Sequence, residues 1–180
     1  PCVRRGASRF STLPRRPMGL FSSDPATHLP PGEGVRTDGT PFEIPAGLDA
    51  VATLVVLTFE DSVAPLSGQW ARLGERIAED NAGLAVLELI VFPPRMKMLG
   101  DMALLGLRAR AKADGSAHRL AVVFDKAKAV RKALGIQSAS SVTVLLVRPD
   151  GEIVWRGDGE IDLHEIESLE PQVQALLKEA

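Results

Sequence analysis

The run VTVLLVRPDGEIVWR, Val142 to Arg156, decides how this chain folds. Val142–Val147 is unbroken apolar and β-branched sequence, the pattern of a strand buried on both faces. Pro149-Asp150-Gly151 then supplies a fixed φ, a side chain that bonds forward to its own backbone, and a residue free to take positive φ, which together make a tight turn. Glu152–Arg156 is the returning strand. Strands joined by so short a link must pair antiparallel, because a parallel pair needs a crossover of a dozen residues or more. Beyond them Asp162 is placed to cap a closing helix that runs to Lys178, with Ile166, Leu169, Val173 and Leu176 on its apolar face.

Upstream the pattern changes from hairpin to crossover. VATLVVLTF, Val51 to Phe59, reads as a fully buried strand. Leu66, Trp70, Leu73 and Ile77 recur at helical spacing and predict a helix from about Ala64 to Asp80, stopped by Asn81-Ala82-Gly83. LAVLELIVF, Leu84 to Phe92, is a second buried strand, and strand–helix–strand is best built as a right-handed parallel crossover. Pro93-Pro94 ends that strand. A helical stretch follows over Met96–Ala113, then a short strand over Leu120–Phe124, then a helix over Asp125–Leu134 that stops at Gly135. The order is thus β-α-β, a helical insertion, and β-α-β-β-α. This is the layout of a thioredoxin-like α/β domain, with a central mixed sheet and flanking helices, and we place it at residues 49–180. A doubly wound parallel sheet would need a helix between the last two strands, where the Pro149-Asp150-Gly151 turn leaves no room. Residues 24–48, rich in Pro, Gly and Asp, read as an extended lead-in with turns rather than a packed element, although Phe42 and Ile44 alternate as in a short edge strand.

Composition bounds the function. The chain has 180 residues, 45% of them hydrophobic, which suits one domain with a substantial core. A net charge of −2 and an aromatic content of 4% supply neither the basic field nor the stacking platforms of a nucleic-acid binder. Residues 1–23 differ from the rest: Arg4, Arg5, Arg9, Arg15 and Arg16 stand among serines with no acidic residue. Such a composition is that of a mitochondrial transit peptide. His28, His118 and His164 lie far apart without metal-ligand spacing, and no metal or cofactor is expected. Gly32-Glu33-Gly34 lacks the lysine and preceding strand of a phosphate loop. Asp158, Glu160, Asp162, Glu165 and Glu167 read as the acidic start of a helix, where negative charge is favoured.

In a thioredoxin-like domain the working cysteine stands after the first core strand, at the start of the next helix, where the dipole and free N–H groups stabilise a thiolate. The matching stretch here, EDSVAPLSGQW from Glu60 to Trp70, holds no cysteine, and Ser62 and Ser67 are its only hydroxyls. The single cysteine is Cys2, within the basic segment. Active members also carry a cis-proline before the strand that leads into the hairpin; the matching place is Ser141-Val142-Thr143, where an ordinary trans bond is expected. Losing both features argues against a reductase or peroxidase and for a protein that works by binding.

The block LLVRPDGEIVWRGDGEIDLHEIESL, Leu145 to Leu169, resembles the C-terminal part of a known family. That family is the thioredoxin-like assembly factor of mitochondrial ATP synthase, which assists subunit a of the membrane sector. Ile153, Trp155, Gly157 and Gly159 match its strand motif; Glu165, Ile166 and Leu169 match its helix. The strand TLVVLTF, the helix carrying Trp70 and the strand LELIVF followed by a basic-apolar helix are also similar to it. Asp158 departs from the pattern, since several members have a cysteine there. The resemblance implies a non-enzymatic chaperone, peripheral on the matrix side of the mitochondrial inner membrane, whose partner is a protein client, ATP synthase subunit a. A very hydrophobic client calls for adaptable apolar surface. Met96, Met98, Leu99, Met102 and Leu105 offer it beside Arg95, Lys97, Arg108 and Arg110, and Trp155 and Gly157 are further candidate contacts. The alternatives are a thioredoxin- or peroxiredoxin-like redox protein, or a structural subunit of a mitochondrial complex.

Overall fold

The computed structural model describes residues 26–99 and 101–179. The basic segment 1–23, with Cys2, lies outside the described residues.

A single seven-stranded sheet forms the frame. Its strands are β1 (Gly32–Arg36), β2 (Pro41–Ile44), β3 (Ala52–Thr58), β4 (Leu84–Phe92), β5 (Leu120–Phe124), β6 (Thr143–Val147) and β7 (Ile153–Asp158), in the order β2-β1-β5-β4-β3-β6-β7. β3, β4 and β5 run parallel. β6 and β7 are antiparallel additions on one side, β1 and β2 on the other. The parallel pair β3/β4 is joined by helix α1 (Ala64–Glu79). Between β4 and β5 lie a 3₁₀ turn (Pro94–Leu99) and α2 (Asp101–Asp114); α3 (Ala127–Ala133) follows β5 and α4 (Leu163–Glu179) closes the chain.

The alternating side chains of the central strands divide the core in two. Val55 and Leu57 of β3, with Leu145 and Val147 of β6, pack on one face with Val130 and Leu134 of α3. Leu54 and Val56, with Val144 and Leu146, face Trp70, Leu73 and Ile77 of α1 and Leu169, Val173 and Leu176 of α4. All seven residues of β3 are buried, as a strand covered on both faces must be. The hairpin turn forms where expected, with Gly151 at φ 89° and its N–H bonded to Arg148 O at 2.9 Å. Asp162 Oδ1 accepts the Glu165 N–H at 2.8 Å, which caps α4.

One expectation needs correction. The lead-in is a packed element after all: β1 pairs with β5, β2 with β1, and Leu29, Phe42, Ile44 and Leu48 are buried in the α3-side core. Only the Phe42/Ile44 alternation foretold this, because β1 (GEGVR) carries two glycines and a single apolar side chain. Gly34 is required there: a Cβ would come 2.0 Å from Val122 O across the sheet. The helical stretch of the insertion consists of two pieces, a 3₁₀ turn (Pro94–Leu99) followed by α2.

Candidate functional site

The corner where this fold places a reactive thiol is the C-terminal end of β3 and the start of α1. Here Phe59 and Glu60 lead into a 3₁₀ turn (Asp61–Val63), and Pro65 occupies the first turn of α1. Neither helix start is capped by a side chain. Carboxylates and hydroxyls stand in place of sulfur, and they are already engaged. Glu60 Oε2 accepts the Ser62 hydroxyl at 3.4 Å and the Ser140 hydroxyl at 2.7 Å. Ser140 belongs to the loop before β6, so this bond ties together the two loops that meet at the corner. Asp61 Oδ1 pairs with Arg110 of α2 at 3.0 Å. Among the described residues the one cis peptide bond is Ile44–Pro45, away from Ser141–Val142.

Beneath the corner lies a cavity of about 40 Å³, bounded by Ala64, Ser67, Glu88, Ile90 and Leu107 among others. Its polar wall is a buried ion network. Ser67 Oγ donates to Glu88 Oε2 at 3.0 Å, Arg119 Nε donates to Glu88 Oε1 at 2.8 Å, and Arg119 Nη1 reaches Glu75 Oε1 at 2.7 Å. His118 Nε2 lies 3.0 Å from that same oxygen at the surface. Glu88 and Arg119 are both buried, and each needs the other because an unpaired charge there would be strongly unfavourable. The network bridges α1, β4 and the entry to β5. Sequence reasoning passed over it, yet the signal was present: a glutamate inside LAVLELIVF demands a cation, and Arg119 directly precedes LAVVF. The buried Ser67, Glu88 and Arg119 side chains are bonded to one another within the protein, so the arrangement provides stiffness.

The candidate contact residues separate into two places. Met98, Met102 and Leu105 are 90%, 81% and 66% exposed, while Met96 is half-buried and the Leu99 side chain lies outside the described ones. Met102 and Leu105 share one exposed face of α2, and Met98 stands exposed on the 3₁₀ turn before it. α2 is anchored by Arg108 Nε, which donates to Thr37 O at 2.7 Å, by the Arg110–Asp61 pair, and by the buried Leu104 and Ala111. Trp155 and Gly157 sit instead on β7, an edge strand of the sheet. Trp155 is half-buried, its indole N–H donates to Ser168 Oγ at 3.0 Å, and its ring lies 6.3 Å from that of Trp70 at 55°. Trp70 Nε1 donates to Gly159 O at 2.8 Å. At Gly157 a Cβ would stand 2.6 Å from the Trp155 ring and 2.7 Å from Glu165 Oε2, so the glycine lets ring and helix close over the strand. The matched Trp155, Gly157, Gly159 and Glu165 therefore describe one packing unit between β7 and α4.

The acidic residues nearby are engaged as well. Asp158 accepts Thr143 Oγ1 at 2.6 Å and pairs with Arg156 at 2.8 Å. Burial, and after it the neighbouring Asp162 carboxylate, raise the Glu165 pKa above the ordinary glutamate value. Among the described residues no group of three His, Cys, Asp or Glu side chains is placed to hold a metal ion. No described helix is long and apolar enough to cross a membrane.

No protein-family model and no curated protein matches the sequence. Solved structures do. BsSco, a member of the Sco family of cytochrome c oxidase assembly proteins, is similar over 86% of this chain and 96% of its own, at 15% identity and a TM-score of 0.57. ScoI from Arabidopsis thaliana, solved with copper bound, is similar over 83% of this chain and 99% of its own, at 14% identity and a TM-score of 0.55. A thiol:disulfide interchange protein DsbE from Chlorobium tepidum is similar over 87% and 99%, at 16% identity and a TM-score of 0.56. Likeness at these identities is likeness of fold. The chain has the thioredoxin-like α/β fold, with a mixed sheet and flanking helices. With Cys2 as its single cysteine, it has no catalytic cysteine pair.

Proposed function

We propose that this chain works by binding, as a non-enzymatic assembly factor for the membrane sector of mitochondrial ATP synthase that engages subunit a at the matrix face of the inner membrane. The observation that carries the reading is the state of the fold's reactive corner. Where a thiolate would need a cysteine and an open face, Glu60 is bonded to Ser140 and Asp61 to Arg110. A serine alkoxide is far harder to form than a thiolate, and neither Ser62 nor Ser67 has a histidine partner; Ser67 is committed to Glu88. The resemblance of Leu145–Leu169 supports the particular client, the acid-free basic segment 1–23 supports the compartment, and the exposed ridge of α2 supplies a working surface. Assembly proteins are also found among the fold neighbours, in the Sco family.

The test has two arms, both on the full chain. Tagged protein is recovered from mitochondria and probed for subunit a; the same protein is assayed for insulin reduction and peroxide consumption. Capture of subunit a without thiol activity is the expected outcome. Catalytic turnover in either assay overturns the reading in favour of a redox protein, the activity named for the Chlorobium tepidum neighbour. Recovery only with a finished complex turns it toward a structural subunit.

A further inference from the structure

α2 is built the wrong way round for a helix that merely covers a sheet. At about 3.6 residues per turn, Met102, Leu105, Gly106, Ala109 and Ala113 fall on one stripe, and Leu104, Leu107 and Ala111 on the opposite one. The second stripe is the one packed inward: Leu104 and Ala111 are buried and Leu107 is half-buried. The first is wholly exposed, and Met98 on the preceding 3₁₀ turn is exposed as well. A helix with one face in solvent should carry its charges at the centre of that face. Here the charges stand at the margins, Lys112 on one flank of the stripe and Arg110 on the other. α2 itself carries Arg108, Arg110 and Lys112 against Asp101 and Asp114, and Arg95 and Lys97 stand on the turn before it.

We infer that this ridge seats the protein on an anionic lipid surface, with Met98, Met102 and Leu105 entering the headgroup boundary and Arg95 and Lys112 facing the lipid phosphates, while Arg110 and Lys97 stay paired with Asp61 and Glu33. The inference rests on the reading of the ridge as the working surface and gives it a partner. Three features select lipid. The margins are cationic, which complements anionic headgroups. Two copies meeting ridge to ridge would bring Arg95 and Lys112 against their own kind, which disfavours a dimer through this face. The ridge is also convex and open. Nothing lies within 4 Å of where a Gly106 Cβ would be, and the clefts beside α2 are lined by Leu104, Leu107, Arg108 and Arg110 and not by Met98, Met102 or Leu105. Pockets that grip a side chain or a small molecule are concave; a flat, yielding surface suits a ridge. Methionine's flexible thioether arms suit it too.

The experiment is co-sedimentation of the full chain with vesicles of phosphatidylcholine, alone or mixed with phosphatidylglycerol, at low and high salt. Binding is expected to the mixed vesicles only, weakening with salt. The triple change Met98→Glu, Met102→Glu and Leu105→Glu lowers vesicle affinity by roughly tenfold or more. Arg95→Ala and Lys112→Ala each lower it by about fivefold. Leu163→Glu, at the exposed apolar residue that opens α4 and lies off the ridge, leaves it unchanged. An unaltered melting temperature shows that each variant is folded. Equal binding to both vesicle types, full binding by the triple variant, an equal loss with Leu163→Glu, or a dimer broken by the triple change each overturns the inference. Failure here is distinct from failure of the assembly role: a chain that captures subunit a from detergent extract yet ignores vesicles loses only the lipid contact.

Discussion

Replacing Gly157 by alanine tests whether the Trp155–Gly157 signature is a packing unit. The added methyl would sit 2.6 Å from the Trp155 ring and 2.7 Å from Glu165 Oε2, and both distances are well inside contact. Backbone strain plays no part, since Gly157 is not among the positive-φ glycines. Either the strand shifts or the ring swings out, and the ring is held by one hydrogen bond to Ser168 and by its contact with Trp70. Losing the hydrogen bond removes about 1 kcal/mol, and losing the ring pair about 1 kcal/mol more. With residual overpacking the variant is destabilised by about 2 to 3 kcal/mol, which for a domain of this size lowers the melting temperature by about 5 to 10 °C. Trp70 and Trp155 are the only tryptophans, so intrinsic fluorescence followed through a thermal melt reads stability and ring environment together. Gly106→Ala is the matched control: with open space around it, on an exposed helix face, it gains up to about 1 kcal/mol. A Gly157→Ala protein within about 0.5 kcal/mol of the parent, with unchanged emission, would refute the packing argument.

Two further predictions concern charge. Arg119→Met leaves the Glu88 carboxylate buried without a cation and destabilises the fold by about 3 to 5 kcal/mol in chemical denaturation; adding Glu88→Leu recovers much of that, and if it recovers none the network is not the reason for the loss. Glu165 has its pKa raised in the folded state, by burial first and Asp162 second, so the folded chain holds this proton more firmly than the unfolded one. The associated stability is present below the unfolded pKa and is lost as pH rises through the folded value. Glu165→Gln therefore melts higher than the parent at about pH 7, and the gap closes near pH 4; a gap that persists at low pH contradicts the assignment.

The strands buried on both faces were legible in the sequence because nothing competes with a continuous β-branched run: Ala52–Thr58 and Thr143–Val147 fall inside their expected ranges. The Pro149-Asp150-Gly151 turn was legible for a different reason, since its chemistry is local. β1 was not legible. Gly32 and Gly34 give no apolar period, and what makes the segment a strand is the β5 edge it pairs with, far along the chain. The contents of the reactive corner could be read directly from Glu60–Trp70, whereas the Glu60–Ser140 bond joins residues eighty apart and only the fold brings them together. The exposure of Met98, Met102 and Leu105 depends on which of two apolar stripes α2 turns inward. Sequence periodicity offers both, and packing against the sheet chooses.

The lead-in has a consequence for the order in which the molecule assembles. Thr27 O accepts the Ile153 N–H at 2.8 Å, and the Leu29 N–H reaches Gly151 O at 2.9 Å, so the first described residues are secured to a turn made more than a hundred positions later. β1 likewise waits for β5. Such pairings raise the mean sequence separation of contacts, and the loops they close must be formed before any reward is felt. Thr27 and Leu29 therefore reach these partners only after the hairpin of β6 and β7 exists to receive them, whereas β1 and β2 can pair with each other locally. In synthesis from the N-terminal side, Thr27 O and the Leu29 N–H would stay without these partners until Ile153 and Gly151 had been made.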